Sequence, residues 1–542
     1  MSKMDFLNNL ELNTSLTRTE NGALTNKSTL NPLLDLFSLA GAMRNRSEED
    51  IIDLFEKALA CDTARALKYV FYNGDIREGL GERRTFKILL KHLATTRPEL
   101  LKKNIHLIPH YNRWDSIYAL IDTPVERAMF EMVKRQIESD LQTENPSLCA
   151  KWLKSLNASS KVSKALAKRT AFALNLCEFT GDVDKKSIYK NEERYRKALS
   201  ELRTKLKVVE KNMSSGDFST INYSSVPSKA MSNYQNAFMK QDTERYTNYL
   251  VDVALGKSKL NSKTLYPYEI VKKILYSYNL KDYEKTILEA QWNGLPDYID
   301  GKDLNSLCVV DVSGSMNGTP MEVAISLGLY CAERCSGAYK DSFITFSSMP
   351  KLEKVRGNNL ADKVRNISRA DWGMNTNIEA VFELILKTAI DNNSPQEDLP
   401  KNLIIISDME FDAAISGYSG SRFGRGSKLY ESKFETYKDT LFNSIQNRYM
   451  ACGYTMPNLV FWNVDARQNQ CPMTVDKNGW CAASGFSASI FKAILNGETE
   501  IEETVVDTTT GEKAVVTRQV LDPIEAMLKT LDSARYAEVC VC

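Results

Sequence analysis

Between Ser47 and Trp292 apolar residues return at spacings of three and four with polar residues between them, the signature of helices that bury one face. The pattern predicts helices over Glu48–Ala60, Thr63–Tyr72, Glu82–Thr95, Asp115–Ile121, Val125–Leu141, Lys161–Leu174, Asn191–Met213, Asp242–Ala254 and Tyr266–Tyr276. Almost no strand-like run interrupts them. This stretch therefore reads as an all-helical, HEAT-like repeat array, although no fixed repeat period emerges. Residues 1–46 mix Asn, Thr, Ser and Gly and read as an extended lead-in that runs up to an apolar stretch at Leu33–Ala42.

The pattern changes after Asn293-Gly-Leu-Pro. Short apolar runs predict strands over Leu304–Val312, Ser342–Ser347, Lys351–Val355, Leu403–Asp408, Leu459–Val464 and Trp480–Ala483. Helices are expected between them near Pro320–Cys335, Asn377–Ile390, Lys433–Asn447 and Ala488–Leu495. A run such as Leu403-Ile-Ile-Ile-Ser has no polar alternation, which suits a strand covered on both faces, so this part reads as a doubly wound α/β domain. The expected fold class is thus multidomain: a lead-in over 1–46, a helical-repeat domain over 47–300, an α/β domain over 301–500, and a tail over 501–542. The tail reads as a hairpin turning at Thr508–Gly511, then a helix near Pro523–Tyr536.

Composition narrows the function classes. Lys and Arg number 70 against 69 Asp and Glu, a net +1, so any attraction to a polyanion must be local. Apolar residues at 43% and charged residues at 26% exclude a disordered or collagen-like chain. The three histidines, His92, His106 and His110, share one short stretch, which disfavours a dispersed Ser-His-Asp triad or a His-rich zinc site. Eleven cysteines without a C-x-x-C pair, and a start without a signal-peptide pattern, point to reduced thiols in a cytoplasmic protein. Cys331 and Cys335, four apart on an expected helix, fit core packing. No apolar run reaches the roughly 18 residues of a membrane span.

The most informative stretch is Asp311-Val-Ser313-Gly-Ser315, which follows the first expected strand of the α/β part. In open α/β sheets ligands bind beyond the carboxyl ends of the strands, where the strand order reverses. Two more oxygens arrive at equivalent places: Thr376 before a helix and Asp408 at a strand end. Carboxylates and hydroxyls without sulfur or imidazole suit Mg2+ or another hard divalent cation that keeps several waters. An incomplete shell leaves a position for an outside oxygen. Glu410 and Asp412 lie close in sequence and read as a solvated loop.

This arrangement resembles the metal-ion-dependent adhesion site of von Willebrand factor A domains, whose D-x-S-x-S loop, distant Thr and distant Asp match Asp311, Ser313, Ser315, Thr376 and Asp408. The resemblance implies that the serines and the threonine touch the metal while the aspartates hold its waters and hydroxyls. A helical array followed by such a domain is similar to the TROVE family of telomerase-associated, Ro and vault proteins. Asn73-Gly-Asp-Ile-Arg77-Glu-Gly79-Leu-Gly81-Glu-Arg83-Arg84 and His110-Tyr-Asn-Arg113-Trp114-Asp115 look like segments of that family. An uncharacterised TROVE-like group of plants, fungi and phages looks closer still. Its pattern runs through Tyr195-Arg-Lys-Ala-Leu-Ser-Glu-Leu-Arg, Val226-Pro-Ser-Lys-Ala-Met, Ser407-Asp-Met-Glu-Phe-Asp and Ser484-Gly-Phe-Ser. The likeness implies a Ro-like ribonucleoprotein component that binds structured or single-stranded noncoding RNA.

Charge offers a candidate RNA surface. Lys151 to Lys211 holds sixteen Lys and Arg against seven Asp and Glu, a local +9 that leaves about −8 for the rest of the chain. Lys151, Lys154, Lys161, Lys164, Lys168 and Arg169 lead this segment, and Trp152, Tyr189 and Tyr195 lie among the cations as stacking partners for bases. The plainer alternative is a solvated helix face laced by pairs such as Glu193–Lys197. Arg77, Arg83 and Arg84 beside Gly74, Gly79 and Gly81 form a second candidate, against a helix corner braced by Asp75, Glu78 and Glu82. Arg113-Trp114-Asp115 reads as a buried Trp with a flanking ion pair.

Together these point to a nonenzymatic RNA-binding protein with a Mg2+-binding A domain that recruits a protein partner. No DNA or membrane partner is expected, and no side chain stands out as an activated nucleophile or base. The alternatives are a metal-dependent protein–protein adaptor and a structural component of a viral particle.

Overall fold

The computed structural model describes residues 15–179, 184–277, 279–299, 305–345, 350–368, 377–412, 441–506 and 513–541. They form two compact units. The first is built from the chain up to Asp62, Tyr266–Leu280 and Asp297–Ser533; the second comprises Thr63–Leu265, Lys281–Pro296 and the chain from Ala534 on. These boundaries differ from those expected. Residues 47–62 and 266–280 belong with the α/β part because their apolar faces are spent there: the helix Pro267–Leu275 packs on the helix Thr319–Arg334, and Lys272 reaches the buried Glu322 at 3.0 Å.

The first unit contains, after β1 (Leu16–Arg18) and β2 (Leu24–Asn26), six strands: β3 (Ser306–Val310), β4 (Ser342–Thr345), β5 (Leu352–Lys354), β6 (Asn402–Ser407), β7 (Asn458–Asn463) and β8 (Trp480–Ser484). They form one sheet in the order β5-β4-β3-β6-β7-β8, parallel except for the antiparallel edge strand β5. Every residue of β3, β4, β6, β7 and β8 is buried, as unalternated apolar runs require, while β5 is largely exposed. From β3 the chain first adds β4 on one side and later returns to add β6 on the other. The order therefore reverses between β3 and β6. Gly328 lets the helix Thr319–Arg334 lie against β3, since a Cβ there would meet Val310 Cγ2 at 2.5 Å.

Residues 15–46 are more than an extended lead-in. β1 and β2 form a hairpin, and Asn31 caps the helix Pro32–Leu39 by accepting from the Leu33 and Leu34 amides at 3.0 Å. This segment lies along the loops that follow β7 and β8. Asn26 and Cys471 exchange backbone hydrogen bonds of 3.1 and 2.8 Å, Val475 N–H donates to Thr29 O, and Ser484 Oγ donates to Phe37 O. At the other end of the sheet β9 (Glu498–Val506) and β10 (Lys513–Leu521) form the expected antiparallel hairpin, followed by a helix over Pro523–Leu531. The expected turn at Thr508–Gly511 and the start of the expected helix Lys433–Asn447 lie outside the described residues; that helix is seen as Leu441–Ala451.

The second unit is helical throughout its described residues. Helices over Thr63–Gly74, Arg83–Thr96, Glu126–Leu141, Lys161–Leu174 and Thr243–Ala254 follow the apolar spacing closely. The expected Asn191–Met213 is instead two helices, Lys185–Lys205 and Val209–Ser215, because Lys207 takes a left-handed conformation (φ 47°) between them. Helices at Ser228–Gln241 and Asp282–Asn293, with blurred periodicity, supply Phe238 and Ile287 to a core shared with Tyr223, Tyr246 and Leu250.

Candidate functional site

The register that pairs Val310 with Ile406 puts Asp311 beside Ser407 as the two chains leave the sheet. Asp311 is fully buried. Its Oδ2 accepts from Ser407 Oγ at 2.5 Å and its Oδ1 from the Ser313 amide at 2.9 Å. The loop then turns so that Ser313 Oγ and Ser315 Oγ lie 2.9 Å apart. On the neighbouring strand Asp408 is equally buried, with Oδ1 accepting from the Glu410 amide at 3.2 Å. Met409, between them, is held at φ 66°, a conformation a non-glycine residue keeps only where its surroundings dictate it. Ser407 Oγ accepts from the Met409 amide at 3.0 Å and so ties that turn to Asp311.

Two buried carboxylates so placed resist ionising together. Burial, then the negative charge of Asp408, pushes Asp311 up to about 7, against the hydrogen bonds from Ser407 and Ser313. Burial likewise raises Asp408, with Ser315 and Arg467 pulling it back. Asp408 Oδ2 is buried and lacks a hydrogen-bond donor among the described residues; Arg467 Nη2 stands 3.5 Å away, beyond a well-formed hydrogen bond. An orphaned carboxylate oxygen, a second carboxylate and two facing hydroxyls fit a hard cation that keeps part of its water shell. The described residues hold no cluster of three His, Cys, Asp or Glu side chains, so a cation here would rely on hydroxyls as much as on acids. Thr376 lies outside the described residues.

Arg467 is the member that sequence reasoning missed. It follows β7 and is about 29% exposed. Its Nη2 donates to the Ser315 carbonyl, Nη1 to Glu20 Oε2 at 3.2 Å and Nε to Asp465 Oδ2 at 3.2 Å. Burial works against its charge and is outweighed by Asp408, Asp465 and Glu20, which raise its pKa. Its position at a strand end beside β6 was the available signal; nothing in sequence marked Glu20. Glu410 also departs from expectation, being buried rather than solvated. Its Oε1 accepts from Gln470 Nε2 at 2.8 Å and its Oε2 from the Glu20 amide at 2.6 Å, and burial raises its pKa. Thr19 Oγ1 donates to Phe411 O and Asn21 Nδ2 to Glu410 O, both at 2.6 Å, so the tip of the β1–β2 hairpin is clamped to the loop after Asp408.

In the second unit the candidate RNA residues divide. Lys161, Lys164 and Lys168 are exposed on one face of Lys161–Leu174, with Phe172 and Val162 exposed on the same helix and Tyr189 on the next. Arg169 is instead clamped to Asp122 at 2.7 Å and Glu126 at 2.6 Å. Lys154 and Lys151 are half-buried beside Tyr118 and Trp152, and Arg113 covers the Trp152 ring at 4.1 Å while pairing with Asp115. Tyr195 is no stacking platform: it is buried, and its hydroxyl donates to Lys154 O. Arg203 is a brace that donates to the carbonyls of Ala150 and Leu153.

The Asn73–Arg84 segment is a packed corner rather than a phosphate cradle. A Cβ on Gly79 would stand 2.1 Å from Tyr72 O, and one on Gly74 would meet the Phe86 ring at 2.6 Å. Asp75 is fully buried and receives Arg535 and Tyr536 from the far end of the chain. Arg77 Nη1 donates to His110 O at 3.1 Å, and Arg83 and Arg84 are exposed at the start of the next helix.

Residues 19–114 and 127–302 match a family described as a domain of unknown function, DUF2828, and so cover half of the chain. The chain belongs to that family. Residues 305–531 match a second domain of unknown function, DUF7788, which contains the whole six-stranded sheet. The chain is also similar to an uncharacterised protein of Acanthamoeba polyphaga mimivirus, at 29% identity over 533 residues that cover 89% of this chain and 85% of that one. The two matched regions meet just before β3, yet β2 and the helices at 32–39, 48–61 and 267–275 lie in the first match and fold with the second.

Proposed function

We propose that this protein is a nonenzymatic, cation-dependent binding protein whose α/β unit is von Willebrand factor A-like and recruits an acidic protein partner. The observation that carries the reading is that two buried carboxylates, Asp311 and Asp408, directly follow the adjacent strands β3 and β6 at the reversal and feel each other's charge, with Asp408 Oδ2 left without a donor. Ser313 and Ser315 would touch a Mg2+ ion, with Asp311 and Asp408 holding its waters and hydroxyls and Thr376 supplying a further oxygen. When bound, the ion offers an open position for an outside oxygen. Ser407 and the strained Met409 turn hold the two aspartates in place beforehand.

A second activity fits the second unit. Lys161, Lys164 and Lys168, with exposed Tyr189 and Phe172, combine cations and rings as a single-stranded RNA surface does, in keeping with the TROVE-like resemblance. The two tests are separate. Isothermal titration of the full chain with Mg2+ should show one site that Asp311→Ala removes; unchanged affinity in that variant refutes the cation site. Anisotropy of a labelled 20-nucleotide oligouridine should show salt-sensitive binding that charge reversal at Lys164 and Lys168 weakens; equal binding by wild type and variant refutes the RNA surface.

A further inference from the structure

Arg467 is a side chain out of place in a site for cations. Its guanidinium lies 3.5 Å from Asp408 Oδ2, the one oxygen of the pair that no hydrogen bond satisfies, and it donates to the carbonyl of Ser315 in the D-x-S-x-S loop. Every nitrogen that faces away from Asp408 has an acid of its own: Nη1 has Glu20 at 3.2 Å and Nε has Asp465 at 3.2 Å. Arg467 is thus a positive charge shared between one buried acid of the cation site and two acids outside it. Asp465, a neighbour on the same loop, is about 15% exposed, whereas Glu20 is about 45% exposed and arrives on the hairpin that Glu410, Phe411 and Asp412 clamp.

We propose that Arg467 is a tethered counter-ion: it neutralises the Asp311–Asp408 pair while no metal is bound and competes with a divalent cation for it. The inference rests on the cation-site reading above and goes beyond it by naming what the site holds otherwise. The physical reason is charge economy in a dry site. Two buried carboxylates need a cation nearby to ionise, and a guanidinium and a divalent ion cannot both sit against Asp408 without strong repulsion at low local dielectric. Loading the metal therefore moves the guanidinium toward Glu20 and Asp465, which keep its charge compensated. Because Glu20 belongs to the hairpin tip, occupancy of the site is felt by the chain's N-terminal segment through this one side chain.

The test is Mn2+ binding to the full chain, read by electron paramagnetic resonance of the free ion, in wild type, Arg467→Gln, Arg467→Lys, Glu20→Gln and the Arg467→Gln/Glu20→Gln double variant. Removing the tethered charge should tighten Mn2+ binding at least tenfold in Arg467→Gln, while Arg467→Lys, which keeps the charge, stays near wild type. Glu20→Gln should weaken binding several-fold when Arg467 is present and have little effect in the double variant. Affinity in Arg467→Gln equal to or weaker than wild type, with Asp311→Ala abolishing binding, overturns the proposal and leaves the cation site standing. Absence of Mn2+ binding in wild type and Arg467→Gln alike overturns the cation site itself. Should Arg467→Gln fail to fold, the Glu20→Gln and Arg467→Lys results still decide: a Glu20→Gln affinity equal to wild type overturns the proposal.

Discussion

Arg535 grips Asp75 with two nitrogens, Nε at 2.8 Å from Oδ2 and Nη2 at 3.0 Å from Oδ1, across 460 residues of sequence. Tyr536 adds its hydroxyl to the same carboxylate at 3.1 Å and its ring stacks on Tyr111, while Asn104 exchanges hydrogen bonds with the backbone of Cys540. The last residues of the chain thus close the corner made by Asn73–Arg84.

Breaking a buried ion pair from one side leaves the other charge stranded, so Asp75→Ala should cost about 3–5 kcal/mol in urea unfolding. Removal of residues 534–542 should cost a similar amount, and combining the two should add little, because both delete one network. Additive losses would show that the tail is held elsewhere.

Gly79→Ala should destabilise the same corner by about 1–3 kcal/mol or more, because the added methyl meets the Tyr72 carbonyl with no flexible group to give way. Thermal unfolding by circular dichroism measures it. An unchanged midpoint would refute the packing account of the glycine.

Asp311 carries a folded pKa of about 7 against an unfolded value near 4. The sign follows from linkage: the folded state holds the proton more tightly, so the stabilisation is complete below about pH 4 and is lost as pH rises through about 7. Asp408 and Glu410, also raised by burial, act in the same direction. The metal-free protein should therefore melt at a lower temperature at pH 8 than at pH 5. Millimolar Mg2+ should raise the midpoint more at pH 8, where both carboxylates can ionise, and Asp311→Asn should flatten the pH slope and abolish the Mg2+ effect. An equal Mg2+ shift at both pH values would contradict the site.

Lys161, Lys164 and Lys168 changed together to Gln should weaken oligouridine binding and reduce the slope of log affinity against log salt by about 2, the amount for three phosphate contacts on a single strand. Arg169→Gln should instead lower stability with little change in slope, because Arg169 already spends its charge on Asp122 and Glu126. The reverse pattern would place the RNA contacts on the other side of that helix.

Much of this was legible beforehand. Strands covered on both faces betray themselves by runs such as Leu403–Ile406, so the α/β half and the Asp311 loop at a strand end could be read directly. Helices with a clean apolar face were legible for the same reason. The break at Lys207 and the burial of Tyr195 were not, since a left-handed turn and the face a ring presents depend on what packs against them.

The sequence by itself determined the net charge and the local periods, and it marked the oxygen donors of the candidate site because each lies beside a strand or helix whose period is legible locally. Only the tertiary structure decided that the N-terminal hairpin folds with the sheet, that the chain's end closes on Asp75, and that Arg467 and Glu20 stand beside Asp408. Such long-range pairings are chosen by which apolar faces and buried charges remain unsatisfied after local structure forms, and no window of sequence contains both partners.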